Sequence, residues 1–497
     1  MLTVEEIKRF MDDDASSEKK KLAKKGRDYY DGNHDINGYR LFYYTADGEL
    51  AEDTTRSNVK ISHAFFTELV DQAVQYMLSG QDGFIKSDIP ELQTELDAYF
   101  NDNEDFTAEL SELLTDGQAK GFGYMYAYKN DEFKTAFQCA DSIGVIEVRA
   151  KDTDDGCEYV IYWYVDRIEK GKKEVKRIQV WDKEQVHYFV QIGGGEITVD
   201  DTEKVNPKPH ALYQEGEKDT IYYESFGFIP FFRLDNNKKQ VSGLSSIKGL
   251  IDDYDLMACG LSNNIQDASE YLVVVSGFQG DNLEELMQNT KTKKHIGVEE
   301  GGGVEFKTVD IPYEARKAKL ELDEKNIYRF GMGLNTAGLK DTTATTNVAI
   351  KAAYSLLDLK CSKLEIRLKQ FLRKLIRVVL DEINAEKETD YQQKDVYFNF
   401  EHEIMSNAKE NADIEHVEAQ RKQVEISTLL NVAAHLDNET LMQLICDQLD
   451  IDYDEIKGKL PDPDEAANAV MDAQGGLDSV VVKDESQTEG SATGIPE

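Results

Sequence analysis

The stretch GLNTAGLKDTTATTNVAIKAAYSLLDLK, residues 333–360, is where residue types and spacing come nearest to a chemical site. A phosphate-binding loop, G-x-x-x-x-G-K-[ST], cradles phosphates with backbone amides and reaches the outer ones with a lysine. Gly333 and Gly338 have the required separation. Leu339, however, stands where the lysine belongs, and Lys340 follows one residue late. Asp341 and Thr342 come next, so a carboxylate would face the phosphates. No hydrophobic strand precedes the run, because IYRFGM continues a polar helical pattern. The stretch fails as a nucleotide cradle by its register.

Other constellations fail as well. DIDYDE, residues 450–455, opens like a calcium loop, but Glu455 replaces the required glycine and Pro461 the final glutamate. The histidines at 34, 63, 187, 210, 295, 402, 416 and 435 are scattered, and only His402 and His416 are near each other, without a ligand spacing. Cys139, Cys157, Cys259, Cys361 and Cys446 are odd in number, far apart and form no CxxC. They support neither a disulfide framework nor a zinc knuckle, and read as reduced thiols in a cytoplasm-like compartment. There is no G-x-S-x-G elbow. The expectation is a protein with no catalytic group, no metal and no cofactor.

Charge restricts the partners. The 57 Lys and Arg against 96 Asp and Glu leave a formal net charge of −39. Gripping DNA requires neutralising phosphates and releasing counterions, which this surface cannot do over most of its area. Contact with nucleic acid must be local, or of a kind in which sticking is harmful; the plainer alternative is that the charge serves solubility. No apolar run approaches the roughly 20 residues that span a bilayer. MLTVEEIKRFMDDD lacks the apolar core of a signal peptide. A soluble protein that stays where it is made, without a membrane partner, is expected.

The elements around these residues divide the chain into several regions. Helical patterns fill the first eighty residues: TVEEIKRFMDD, SEKKKLAKKGRDYYDG and ISHAFFTELVDQAVQYMLSG, the last with Phe66, Val70, Ala73 and Met77 on one face. The lysines between Lys19 and Lys25 read as a solvated helix face. Two further helical stretches lead to Gly121. From there to about Leu234 the alternation of Tyr, Val, Ile and Phe predicts a meandering antiparallel sheet. GLSSIKGLIDDYDLMACGLSNNIQDASEYL then carries a stripe through Leu244, Ile247, Ile251, Tyr254, Ala258, Leu261 and Ile265, with its acids and asparagines on the other faces. A small mixed segment and a second polar helix, YEARKAKLELDEKNIYRFGMG, complete a hairpin whose tip has too little core of its own. A single helix is predicted over about Asn347–Ala385, then a strand at VYFNFEH and two more helices. The tail from Pro461, with nine acids and one lysine, reads as disordered. The fold class is α+β and predominantly helical.

Six segments in order carry a resemblance: YYDGNHDI, NVKISHAFFTELVDQAVQYMLSG, GQAKGFGYMYAY, FGFIPFFRLDNN with GLSSIKGLIDDYD, NVAIKAAYSLLDLK and EISTLLNVAAHLDNET. The series resembles the portal proteins of tailed bacteriophages, most closely the group typical of phages of Gram-positive hosts. The resemblance implies a virion protein, assembled in the host cytoplasm into a homo-oligomeric ring at one capsid vertex, commonly of twelve subunits. Double-stranded DNA passes through such a ring without sequence specificity. The implied partners are the terminase large subunit, a head-completion or adaptor protein, and capsid and scaffold proteins. By similarity, residues 1–240 and 348–402 form a wing, 241–272 and 312–333 stem helices, and 273–311 a clip. Residues 334–347 form a tunnel loop and 403–460 a crown, followed by the tail at 461–497.

Leu339, Lys340, Asp341, Thr342, Thr343, Thr345 and Thr346 would then face DNA, with Lys351 close by. Lys340, and after it Lys351, are the candidates for transient phosphate contact; ordinary solvated lysines are the alternative. Lys291, Lys293 and Lys294 would face an acidic partner in the clip, or simply sit on a solvated loop. The rival readings are another ring-forming connector or baseplate component of a virion and, from a different class, an NTP-binding enzyme built on the Gly333–Lys340 run.

Overall fold

The computed structural model describes residues 1–449 except 55, 81–82, 150–155, 215–220, 269–271, 279–285, 287–296, 308–311, 337–346, 403–407 and 432–437. The chain divides into two compact units, Met1–Met405 and Ser406–Glu497.

The larger unit begins with two helices, α1 (Val4–Ser16) and α2 (Glu18–Tyr30). Thr3 and Glu6 close a capping box on α1, each satisfying the other's backbone amide. Ser17 ends α1 and caps α2, its hydroxyl accepting from the Lys20 amide. The next helix, α3 (Phe65–Met77), buries the predicted stripe of Phe66, Val70, Ala73 and Met77, and Leu69 with it. Pro90 opens α4 (Pro90–Leu96), where its missing N–H costs nothing. Asn103 caps α5 (Glu104–Lys120), which stops at Gly121 in the left-handed region, φ 95°. Gly26 lets α2 cross the end of α5, since a Cβ there would lie 1.9 Å from the Ala119 carbonyl oxygen.

Two antiparallel sheets follow. Phe122–Lys129 lies between Phe231–Asp235 and Thr135–Ala140, with α5 packed alongside. The larger sheet meanders through Val145–Arg149, Cys157–Glu169, Lys173–Trp181 and Gln185–Ile192; Ile197–Val199 and Lys208–Pro209 both pair with the last of these. Alternation puts Ile146, Ile161, Ile178 and Phe189 on the face that receives Ile7 of α1. Phe122, Val145, Val160 and Trp181 share a second core with Ala23 of α2.

A helical hairpin joins α6 (Lys248–Ala268) to α7 (Tyr313–Gly331). Asp253 pairs with Lys319 at 2.5 Å across it, and Gly260 faces Arg316 nearer the tip. Between the two helices, Leu272–Phe278 and Val298–Lys307 form a bulged antiparallel pair. The 41-residue α8 (Asn347–Lys387), about 60 Å long, crosses the main core through Leu357, Cys361, Leu368, Leu375 and Val379. The smaller unit contains α9 (Ala408–Asn431) packed on α10 (Asn438–Leu449). The tail at 461–497, expected to be disordered, lies outside the described residues.

Two expectations need correction, and a third residue has an unforeseen place. Lys20 does not sit on a solvated face but is 2 % exposed, because its ammonium is enclosed by three carbonyls at the turn that opens the larger sheet. Residues 61–63 do not begin α3; they run extended, since their amides find acceptors on α6 instead. Asp255, one of the acids off the apolar stripe of α6, is fully buried.

Candidate functional site

The loop singled out by its glycines is fixed at both ends on one helix. After α7, Met332 turns left-handed, φ 55°, and its amide closes on the Tyr328 carbonyl. Leu334 is then clamped by Gln72 of α3, which accepts from the Leu334 amide (2.9 Å) and donates to its carbonyl (3.0 Å). Gly333 is required by packing: a Cβ there would lie 2.1 Å from a methyl of Leu69, itself fully buried. The chain returns as α8, where Tyr76 of α3 donates to Asp358 (3.2 Å) and the Cys361 thiol to the Ala73 carbonyl (3.7 Å). Residues 337–346 thus connect two anchors on α3.

The hairpin of α6 and α7 is tied to the N-terminal helices by an extended strap, residues 57–63. Four alternate strap amides donate to four side chains one turn apart on α6. Ser57 reaches Asp267 (3.2 Å), Val59 reaches Asn263 (2.7 Å), Ile61 reaches the Cys259 sulfur (3.3 Å), and His63 reaches Asp255 (3.0 Å). The match is geometric. Two residues of extended chain rise about 6.6 Å and four helical residues about 6 Å, so the two repeats stay in step for three turns.

Asp255 ends this ladder. Its carboxylate accepts from Nδ1 of His34 (2.6 Å), Nδ1 of His63 (2.7 Å) and the His63 amide. Burial pushes its pKa up, but these hydrogen bonds outweigh burial and leave it below the ordinary value. His34 stacks on Tyr29 with ring centroids 4.4 Å apart, and its Nε2 faces the Tyr29 carbonyl at 3.2 Å. Tyr29 donates in turn to Asp252, which Lys248 bridges to Asp35 at 2.6 and 2.7 Å. This cluster positions elements, joining the strap, α2 and α6. Among the described residues no group of three His, Cys, Asp or Glu side chains converges as a metal site requires.

The residues singled out from the sequence are not brought together by the described structure. Leu339, Lys340, Asp341, Thr342, Thr343, Thr345 and Thr346 lie outside the described residues, as do Lys291, Lys293 and Lys294. Lys351 is exposed in the first turns of α8. What the sequence reading missed is the strap and its Asp255 terminus. His34 and His63 are 29 positions apart and meet only through a carboxylate nearly two hundred positions further on. No described helix is long and apolar enough to cross a membrane.

Comparison with known proteins covers the same elements. The family model described as phage portal protein, SPP1 Gp6-like, matches residues 11–452. The portal protein of Bacillus phage SPP1 is 25% identical over 351 residues, 70% of this chain and 67% of that protein. The portal protein of Clostridium phage phiCD119 is 25% identical over 434 residues, 83% of this chain and 89% of that protein. The match runs from within α1 to just past α10, through the hairpin and the strap alike, and the chain belongs to the SPP1 Gp6-like family of phage portal proteins.

Proposed function

We propose that copies of this chain form a closed ring, commonly of twelve, at one vertex of a phage capsid, and that double-stranded DNA enters and later leaves through its centre. The observation that carries this reading is the family match along residues 11–452, which begins within α1 and covers every later described helix. The family is structural and implies a place in the virion capsid. Within the ring, residues 1–240 and 348–402 act as wing, 241–272 and 312–333 as stem, 273–311 as clip, and 403–460 as crown. The clip, through Lys291, Lys293 and Lys294, receives the terminase large subunit during packaging and a head-completion protein afterwards. Capsid and scaffold proteins surround the ring, which is built in the host cytoplasm.

Two features support a passage that conducts DNA without holding it. A net charge of −39 disfavours lasting phosphate contacts. The loop of residues 334–347 starts from an anchor on α3, and Gly333 is explained by its packing on Leu69 rather than by a phosphate. Lys340 then supplies a transient contact inside a polar loop of Leu339, Asp341, Thr342, Thr343, Thr345 and Thr346, with Lys351 next to it.

Negative-stain microscopy of the purified chain should show closed rings with a central hole; a monodisperse monomer at every concentration tested would overturn the reading. Lys340→Ala should leave ring assembly intact and change the amount of DNA packaged or retained. Unchanged packaging removes the phosphate contact.

A further inference from the structure

The long helix α8 presents a face that nothing described in its own chain covers. Leu356, Leu359 and Ile366 are 38, 60 and 61 % exposed, at spacings of three and seven that place them on one stripe. The stripe continues through Lys363, Lys374 and Arg377, all exposed. Between Lys360 and Arg377 seven Lys and Arg stand against Glu365 alone, in a chain whose net charge is −39. Lys363, Lys374 and Arg377 make no ion pair among the described residues. By contrast, Lys369 pairs with Glu365, and Arg373 donates to the Gln393 carbonyl.

The complement to this stripe is on the same chain. From Asp88 to Ala119 there are ten Asp and Glu and no Lys or Arg. Several of these acids have work within the fold: Glu95 pairs with Lys387, Asp116 with Lys120, and Glu109 accepts from the Cys139 amide. Glu91, Asp102, Glu104, Asp105 and Glu112 are exposed and form no ion pair among the described residues. Glu104 and Glu112 are eight residues apart on α5, so they share a face. An exposed stripe mixing Leu and Ile with unpaired cations suits a protein surface better than a nucleic-acid backbone, which offers phosphates and no apolar patch.

We infer that the exposed stripe of α8, centred on Leu359, Lys363, Ile366, Lys374 and Arg377, docks on the acidic flank of a second copy of this chain, the outer face of α4 and α5. The inference rests on the ring reading and names the surface by which one subunit grips the next. Two different patches that fit each other make a head-to-tail contact, the kind that closes into rings. They also offset the repulsion that strongly acidic copies exert on one another.

Charge exchange tests it in the full-length chain. Lys363→Glu with Arg377→Glu, and separately Glu104→Lys with Glu112→Lys, should each raise at least about tenfold the protein concentration at which rings appear, because like charges then face each other. Combining all four substitutions should restore assembly. Light scattering and negative-stain images report ring content, and circular dichroism melts identify any variant that fails to fold; the other pair then carries the test. Rings that form as readily in both reversed variants overturn the inference, as does a fourfold variant no better than its parents. If the α8 reversal leaves rings intact but abolishes retention of a labelled DNA duplex, the stripe is a DNA surface and the inference is wrong. If the unsubstituted chain forms no rings at all, it is the ring reading that falls.

Discussion

Replacing Asp255 with alanine should detach the strap from the hairpin of α6 and α7. The substitution removes a carboxylate that accepts from Nδ1 of His34, from the His63 ring and from the His63 amide. Taking one partner from a buried, hydrogen-bonded charge cluster costs about 3–5 kcal/mol, because the remaining donors stay buried without acceptors. Asp255→Asn keeps one acceptor oxygen and turns an amide N–H₂ towards an imidazole donor, a smaller loss of about 2 kcal/mol. Amide hydrogen exchange separates this local event from global unfolding. Residues 57–63 should lose protection in Asp255→Ala while the amides of α5 keep theirs. Unchanged protection of the strap would mean that the carboxylate does not hold it.

The same cluster sets a pH dependence whose sign follows from the carboxylate. Asp255 has its folded pKa below the ordinary 3.8, so it contributes stability above that value and loses it as pH falls through the lower folded pKa. The strap should therefore stay in place through mildly acidic conditions and let go only below about pH 3.8. His34 strengthens the arrangement from the other side. One ring nitrogen faces Asp255 and the other the Tyr29 carbonyl, so the ring is held on both sides.

How much of this was visible in the sequence depends on the range of the interaction. The apolar face of α3 and the alternation through residues 121–234 were legible, because periodicity is a local signal and burial obeys it. The length of α8 was legible for the same reason. Asp255 was not. Within IDDYDLM it looks like its neighbours Asp252 and Asp253, and only the arrival of His34 and His63 from the N-terminal segment makes it the buried one. The strap was misread because Ile61 continues the apolar spacing of α3, four residues before Phe65, while the acceptors that hold the Ile61 and His63 amides lie on a helix far along the chain. Gly333 invited a phosphate reading because glycine spacing is blind to its neighbours; the neighbour is Leu69.

Lys20 shows how a buried charge is weighed against its partners, and Lys20→Met should destabilise the larger unit by about 2–4 kcal/mol. Its ammonium donates to the carbonyls of Ser142 (2.7 Å), Ile143 (3.0 Å) and Val145 (2.7 Å), pinning α2 to the turn that opens the larger sheet. Burial drives its pKa down from 10.5 to about 8, with Asp14 at 3.4 Å pulling the other way. That depression corresponds to about 3 kcal/mol of cost for burying the charge, which methionine would relieve. Against it stand three buried carbonyls left without a donor, at about 1–3 kcal/mol each, and the carbonyls win. The pH profile distinguishes this account from simple loss of packing. Between pH 8 and 10.5 the unfolded chain holds the Lys20 proton more tightly than the folded one, so the contribution of Lys20 to stability rises with pH across that window. That contribution is absent from the methionine variant, so the stability gap between the two proteins should widen by about 3 kcal/mol from pH 8 to pH 10.5. Chemical denaturation followed by near-UV circular dichroism at several pH values measures it. A gap that stays constant over that range would show that Lys20 holds the turn by its bulk and not by its charge.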